Sequence, residues 1–144
     1  MEFIKIKNTE IIENAVIEFC QCFPHLKEKI GNIHKYAEKL DEFAEVYILL
    51  DNGIRKGISV FYDNDKQNCF GYISLIGIKE QYRKQNLGGI TIDFTHEIMR
   101  KNGMKYCKLE VDKDNKNAYD FYIHKGYEFC EPASDTSIYL LKKL

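Results

Sequence analysis

The hydrophobic positions of this chain change their spacing several times, and each change marks an element. "EFIKIKN" mixes apolar and polar residues with a short period, so Phe3, Ile4 and Ile6 predict a first strand. From Thr9, a residue suited to capping, Ile12, Ala15, Val16, Phe19 and Phe23 recur three or four apart and predict a helix that Pro24 ends. A second helix is predicted over "GNIHKYAEKLDEFA", with Ile33, Tyr36, Ala37 and Leu40 on one face. From Glu45 the period changes. "EVYILL", "KGISVFY" and "CFGYISLIGI" read as three strands joined at "DNG" and "DNDKQN". Asn and Gly tolerate positive φ, so Asp51-Asn52-Gly53 signals a tight turn and the three strands an antiparallel meander.

Past "QYRKQNLGG", Leu87, Ile90, Phe94 and Ile98 predict an amphipathic helix that stops near Asn102-Gly103. "YCKLEVD" is the next predicted strand, "NKNAYDFYIHKG" the next helix, and "YEFCE" and "SIYLLKKL" two closing strands. Strand 70–79, its following helix and strand 106–112 form a βαβ crossover, which demands parallel neighbours in a mixed sheet. The expected class is α/β, a mixed central sheet of about seven strands with helices on both faces. No repeat, low-complexity tract or linker interrupts residues 1–144, so one domain is expected.

Composition narrows the function. A chain of 144 residues is long enough to bury a core without staples. Its 21 basic and 22 acidic side chains are interspersed, for a net charge of −1, which argues against a nucleic-acid partner. The five cysteines form no CxxC pair, and His25, His34, His96 and His124 lack metal-ligand spacing, so no metal is expected. The cysteines read as reduced thiols, Cys107 and Cys130 as core residues. "MEFIKIKN" has no signal-peptide shape and no apolar run approaches membrane-spanning length. A cytoplasmic protein without a membrane partner is expected, with a homodimer left open.

The loop "QYRKQNLGG" joins a strand to a helix. The first amides of such a helix lack partners and its dipole favours an anion. Gly88 and Gly89 give a phosphate close access, Arg83 and Lys84 add positive charge, and Asn86 suits a left-handed conformation. Neither GxxxxGK[ST] nor GxGxxG occurs. Taken alone, the loop fits an anion cradle and a plain turn with solvated charges equally.

"IGIKEQYRKQNLGG" resembles the [RQ]-x-x-G-x-[GA] acetyl-CoA signature of the GCN5-related N-acetyltransferases, the GNAT family. Arg83, Asn86 and Gly88 match its three positions, Asn86 replacing the first glycine. "LEVDKDNKNAYDFYIHKGYEF" resembles the family's second segment, with Asn115, Ala118, Phe121, Tyr122, Gly126 and Tyr127 in its places. The two motifs, in order, cover nearly the whole chain.

The resemblance implies the GNAT fold and acetyl-CoA as cosubstrate, its pyrophosphate on the backbone amides of Gln85, Asn86, Leu87, Gly88 and Gly89. Ile76, Gly77 and Ile78 would face the pantetheine arm, with a main-chain amide near Ile78 as oxyanion donor, and Asn115 would touch the same arm. It implies direct attack by a primary amine, with Tyr122 as acid to the departing thiolate. Glu110 lies twelve residues before Tyr122 (122 − 110 = 12), the spacing of ribosomal-protein alanine acetyltransferases, where that Glu is the base. On its strand Glu110 shares a polar face with Lys108 and Asp112, so a hydrogen-bonded surface carboxylate is the competing reading; Glu80 or a water is the alternative base.

The acceptor site is expected around "FPHLKEK" and "EPASDTS". "KYAEKL" and "S…YL.K.L" resemble acetyltransferases of bacterial surface-polysaccharide gene sets, which implies an amino sugar, against a protein N-terminus or another small amine. A silent acyl-CoA-binding sensor would keep the loop and lose acid and base. This chain keeps Glu110 and Tyr122, which ranks the enzyme first.

Overall fold

The computed structural model describes residues 1–144. Seven strands form one sheet: β1 (Glu2–Lys5), β2 (Glu45–Asp51), β3 (Ile54–Asp65), β4 (Phe70–Ile78), β5 (Tyr106–Asp112), β6 (Glu128–Pro132) and β7 (Ser137–Lys143). Their spatial order is β1-β2-β3-β4-β5-β7-β6. All neighbours are antiparallel except β4 and β5, the pair joined by the predicted crossover.

Five helices accompany the sheet: α1 (Thr9–Phe19), α2 (Leu26–Ile30), α3 (Ile33–Phe43), α4 (Leu87–Lys101) and α5 (Lys116–His124). Ile12, Val16 and Phe19 of α1 and Ala37 and Leu40 of α3 pack on Val46, Ile48, Ile58 and Val60, closing one face of the sheet. Ile92 and Met99 of α4 pack with Phe61, Ile73, Cys107, Leu109 and Leu140 on the other, where Ala118, Phe121 and Tyr122 of α5 join them. The alternation of β5 decides this: Cys107, Leu109 and Val111 are buried, while Lys108, Glu110 and Asp112 face away.

Several boundaries differ from the sequence pattern, each for a local reason. The cap of α1 is Asn8, whose side chain accepts from the amides of Glu10 and Ile11 at 2.9 and 3.3 Å. Thr9 is already helical, and its hydroxyl donates to Asp41 at 3.2 Å. The helix ends at Phe19, before Pro24, because Cys20–Cys22 tighten into a 3₁₀ turn. The five-residue α2 carries too short a pattern to be seen in the sequence.

The buried face of α4 is Leu87, Thr91, Ile92, Thr95 and Met99, not the expected Leu87, Ile90, Phe94, Ile98 row. Apolar counting missed two threonines whose hydroxyls bond the helix's own carbonyls, Thr91 to Leu87 at 2.7 Å and Thr95 to Thr91 at 2.9 Å. Phe94 stacks instead on Phe3, with ring centres 4.0 Å apart.

Beneath α4 runs a buried polar chain. Tyr127 donates to Cys107 Sγ at 3.1 Å, so its oxygen accepts from His96 Nε2–H at 2.6 Å. Cys107 is thus the core thiol expected, whereas Cys130 is exposed on the edge strand β6. Burial first, then the positive charges of Lys142 and Arg100, push the His96 imidazole down from 6.5 to about 4, against the pull of Asp93.

A folded-state pKa below the unfolded one means that the unfolded chain takes up the proton first. This contribution to stability is therefore complete above pH 6.5 and is lost as pH falls towards 4. At roughly 1.4 kcal/mol per pKa unit it amounts to a few kcal/mol. Urea unfolding followed from pH 7.5 to 4 is expected to show a steeper acid loss in the parent than in His96→Gln, which keeps a donor to Tyr127 without titrating.

Candidate functional site

The Gly-rich loop leaves its donors free. Arg83 N–H bonds Glu80 O at 3.2 Å, and the next backbone amide along the chain to find a main-chain carbonyl is that of Ile90, on Asn86 O at 3.1 Å. Lys84 and Asn86 take left-handed φ values of 64° and 62°, as the sequence required of Asn86. A Cβ placed on Gly88 would stand 3.7 Å from Phe121 Cζ, so the glycine face is open apart from that ring. The Arg83 side chain folds back, its Nε donating to Ile78 O at 3.0 Å, which ties the loop to the end of β4.

The gap beside the loop comes from the two parallel strands. β4 and β5 pair only from Phe70–Tyr106 to Tyr72–Lys108. Past Tyr72 the strand β4 bulges: Val60 faces Leu75 and Phe61 faces Ile73, leaving Ser74 as the extra residue. The remainder of β4 follows β3 and the remainder of β5 follows β7, so the backbones part between Ile73 and Ile78. Gly77 lets another segment close on β4: its added Cβ would lie 2.5 Å from Phe23 Cζ and 2.9 Å from Cys22 Cβ. Only glycine admits that approach.

Two cavities open into this gap. One, of about 620 Å³, runs from Ile76–Ile78 over Arg83, Lys84 and Asn86–Gly89 to Asn115, Phe121 and Tyr122. The other, of about 380 Å³, lies between Phe23, Pro24 and Leu26, Tyr36, Tyr72–Ile76 and Glu110–Asp112. They share Cys22, Pro24, Ile76, Asn115, Ala118 and Tyr122. That shared wall includes the face of α5 expected from the spacing of Asn115, Ala118 and Tyr122. Asn115 caps the helix, its Oδ1 accepting from Ala118 N at 3.2 Å, which leaves its amide donors for the gap.

Tyr122 stands where the cavities meet. Burial, reinforced by the nearby Cys107, pushes its phenol up to about 12, so it is protonated at neutral pH. Glu110 lies on the smaller cavity; Ser137, itself buried, donates to its Oε2 at 2.6 Å and accepts in turn from the Ser134 hydroxyl at 2.8 Å. That leaves Oε1 without this constraint. Beside Glu110 is Tyr72, pushed up to about 12 by burial and then by the Glu110 charge.

Of the expected cofactor-side residues, Ile76, Gly77, Ile78, Arg83, Lys84, Asn86, Leu87, Gly88, Gly89 and Asn115 line the larger cavity; Gln85 does not. Glu80 lies in a third recess with Lys79 and Gln81, which meets the larger cavity at Gln21, Cys22 and Arg83 and does not include Tyr122. On the acceptor side, Phe23, Pro24, Leu26 and Lys29 line the smaller cavity, but the 131–137 segment touches the site only through Ser137. Tyr36, Tyr72 and Ser74 were not foreseen. The alternation of Tyr72 with Ser74 is ordinary strand patterning, and only the bulge turns it towards the gap.

A profile of the acetyltransferase (GNAT) family matches residues 12–127. Tyramine N-feruloyltransferase 10/30 of Nicotiana tabacum is 30% identical over 96 residues, which is 63% of this chain and 38% of that protein. The chain thus spans well under half the length of that relative. A GNAT family acetyltransferase from Elizabethkingia anophelis, solved with acetyl-CoA bound, superposes with a TM-score of 0.67 at 16% identity, over 76% of this chain and 82% of that one. A PaiA N-acetyltransferase from Thermoplasma acidophilum, solved with coenzyme A, gives 0.75 at 16% identity over 100% of both chains. At such identities the likeness concerns the fold.

Proposed function

This chain belongs to the acetyltransferase (GNAT) family, and from that premise we propose that it moves the acetyl group of acetyl-CoA to a primary amine by direct attack. The observation that carries this reading is the junction of the two cavities at Tyr122 and Asn115, with free helix amides at one end and a carboxylate at the other. The loop amides from Gln85 to Gly89 take the pyrophosphate, aided by the dipole of α4 and the charges of Arg83 and Lys84. The pantetheine arm follows β4 along Ile76, Gly77 and Ile78, whose edge towards β5 is free of strand pairing. Its thioester then reaches Tyr122. The tobacco relative is named for an amine, tyramine, and the two solved neighbours were crystallised with acetyl-CoA or coenzyme A; both support this pairing of substrates.

The amine arrives as an ammonium ion and gives a proton to Glu110. Its lone pair then forms the C–N bond to the acetyl carbonyl carbon, and the oxyanion is held by main-chain N–H groups of β4 beyond the Ser74 bulge. The C–S bond breaks, its electrons go to sulfur, and Tyr122 supplies a proton to the thiolate. As the intermediate collapses, the nitrogen gives up its second proton. Solvent returns one proton to the Tyr122 phenolate and takes one from Glu110, and the products are an amide and free coenzyme A. Glu110 is preferred to Glu80 because it shares a cavity with Tyr122, whereas the recess of Glu80 meets the cofactor side at Gln21, Cys22 and Arg83 and does not reach Tyr122. An amino sugar or another small amine satisfies the chemistry equally at this level.

The loop is tested by Gly88→Glu. The open space at this position and the preference of a helix start for acidic residues leave folding intact, while the carboxylate occupies the phosphate position. Acetyl-CoA binding by calorimetry is expected to vanish, and unchanged affinity would put the cofactor elsewhere. Tyr122→Phe removes only the hydroxyl. Turnover is expected to fall by about 10²–10⁴-fold with acetyl-CoA affinity held, and equal turnover with chemistry rate-limiting removes Tyr122 from the mechanism. Glu110→Gln keeps size and the bond from Ser137 but accepts no proton. The rate should fall and the acidic limb of the rate–pH profile should change; if only Glu80→Gln abolishes that limb, the base is misassigned.

A further inference from the structure

We infer that Ser137, backed by Ser134, is a positioning residue for Glu110, and that the β6–β7 turn acts on the transfer step through this carboxylate and not on the acceptor. The inference rests on the amine-transfer reading above, with Glu110 as its base.

The sequence pattern places the acceptor site partly around residues 131–137, yet none of them lines either cavity. Their route to the site is one bond. Glu110 is exposed on β5, opposite Tyr139 of β7, and Ser137 lies two residues before Tyr139 on the same face of the sheet. From that diagonal place a short side chain reaches its neighbour across the strands. The Ser137 hydroxyl, on a residue only 2% exposed, stands 2.6 Å from Glu110 Oε2.

Proton counting gives the direction of each bond. An ionised carboxylate only accepts, so the single Ser137 proton goes to Glu110 and the Ser137 oxygen accepts from the Ser134 hydroxyl at 2.8 Å. With its proton spent, the Ser134 oxygen accepts from the Thr136 hydroxyl and amide at 3.3 and 3.2 Å. Main-chain bonds close the frame behind this chain. The Ser137 carbonyl accepts from the amides of Ala133 and Ser134 at 3.0 and 3.2 Å, and the Thr136 carbonyl accepts from Lys113 at 2.9 Å. Three hydroxyls and an amide of one short turn thus converge on a single carboxylate oxygen.

Glu110 has no rival anchor. Lys108, the cation on its own strand face, is engaged by Glu131 at 3.2 Å and lies over the Tyr139 ring at 4.2 Å. An exposed glutamate held by solvent alone spreads over several rotamers. Holding Oε2 removes that freedom and leaves Oε1 as the oxygen that takes the ammonium proton. Proton transfer needs this oxygen within hydrogen-bond reach of the nitrogen, so the turn sets the rate of transfer without touching either substrate.

The test follows coenzyme A release with saturating acetyl-CoA and five amines: glucosamine, a uridine-diphosphate-linked amino sugar, tyramine, 1,4-diaminobutane and a peptide with a free N-terminal alanine. The fastest of these serves as the probe. Ser137→Ala should lower kcat by roughly 10–100-fold and Ser134→Ala by less, with KM for acetyl-CoA and for the amine held. Combined with Glu110→Gln, neither change should slow the reaction further, because both act through the carboxylate. Ser134 is exposed, so its variant keeps the test alive if losing the buried Ser137 hydroxyl unsettles the strand, which thermal unfolding reveals. A loss in Ser137→Ala alone strikes Ser134 from the chain. Parental kcat in Ser137→Ala, a raised amine KM as its main effect, or an equal loss with and without Glu110 overturns the positioning role and leaves the base in place. Parental kcat in Glu110→Gln overturns the base assignment, and this inference with it. Tight acetyl-CoA binding with transfer to none of the five amines overturns the amine-transfer reading and everything built on it.

Discussion

Parallel pairing between β4 and β5 holds for three residue pairs only, and both strands then continue without each other. Backbone N–H and C=O groups inside a sheet demand partners, and a split of this kind leaves them facing a gap in the middle of the fold. The split is maintained from both sides. β5 pairs with β7 along its whole length, while β4 keeps to β3 and steps around the bulge at Ser74. A bulge raises the local twist and bends its strand, so β4 turns away just where β5 carries Glu110. The crossover helix α4 starts beyond the open end of β4, which puts its unpaired amides at the mouth of the same gap. Loop, carboxylate and phenol come from three different elements, α4, β5 and α5, and the parting of two strands is what they have in common.

This division also explains which features were legible in the sequence. The geometry of the Gly-rich loop could be read because its cause is local: a left-handed Asn86, two small residues and a helix start lie within a few positions. The same holds for the alternation that turns Glu110 away from Leu109 and Val111, and for the Asn102–Gly103 stop. The Ser74 bulge was illegible because it exists only as a mismatch of register between β3 and β4, and a strand alone carries no register. The wall of the smaller cavity was partly legible for a similar reason. Phe23, Pro24, Leu26 and Lys29 belong to one segment, whereas Tyr36 and Tyr72 are brought to it by the packing of α3 over the sheet. Errors in the α4 face and in Cys130 share another origin. Hydrophobicity predicts burial only on average, and here threonines that satisfy themselves are buried while a cysteine on an edge strand is not.

The position of the Tyr122 hydroxyl is a property of the core more than of the site. Its ring is held edge-on by Phe121 at 5.2 Å and by Tyr127 at 5.6 Å, and the Tyr127 amide bonds the Tyr122 carbonyl at 3.0 Å. Tyr127 is in turn fixed by His96 and Cys107, one from α4 and one from β5. The two elements of the crossover therefore meet on the tyrosine that orients the proposed acid. A proton donor in a group-transfer site works only if its oxygen stands within a few tenths of an ångström of where the leaving atom will be, and a free phenol on a short helix would wander. Burying a hydroxyl–imidazole–thiol chain is a costly way to hold a ring, and an apolar triad would stabilise the fold more simply. Directional bonds fix the ring plane of Tyr127 as well as its depth, and through the edge contact they fix that of Tyr122. The polar chain under α4 thus does for the phenol what Ser137 does for the carboxylate: each leaves its partner a single orientation at the junction of the two cavities.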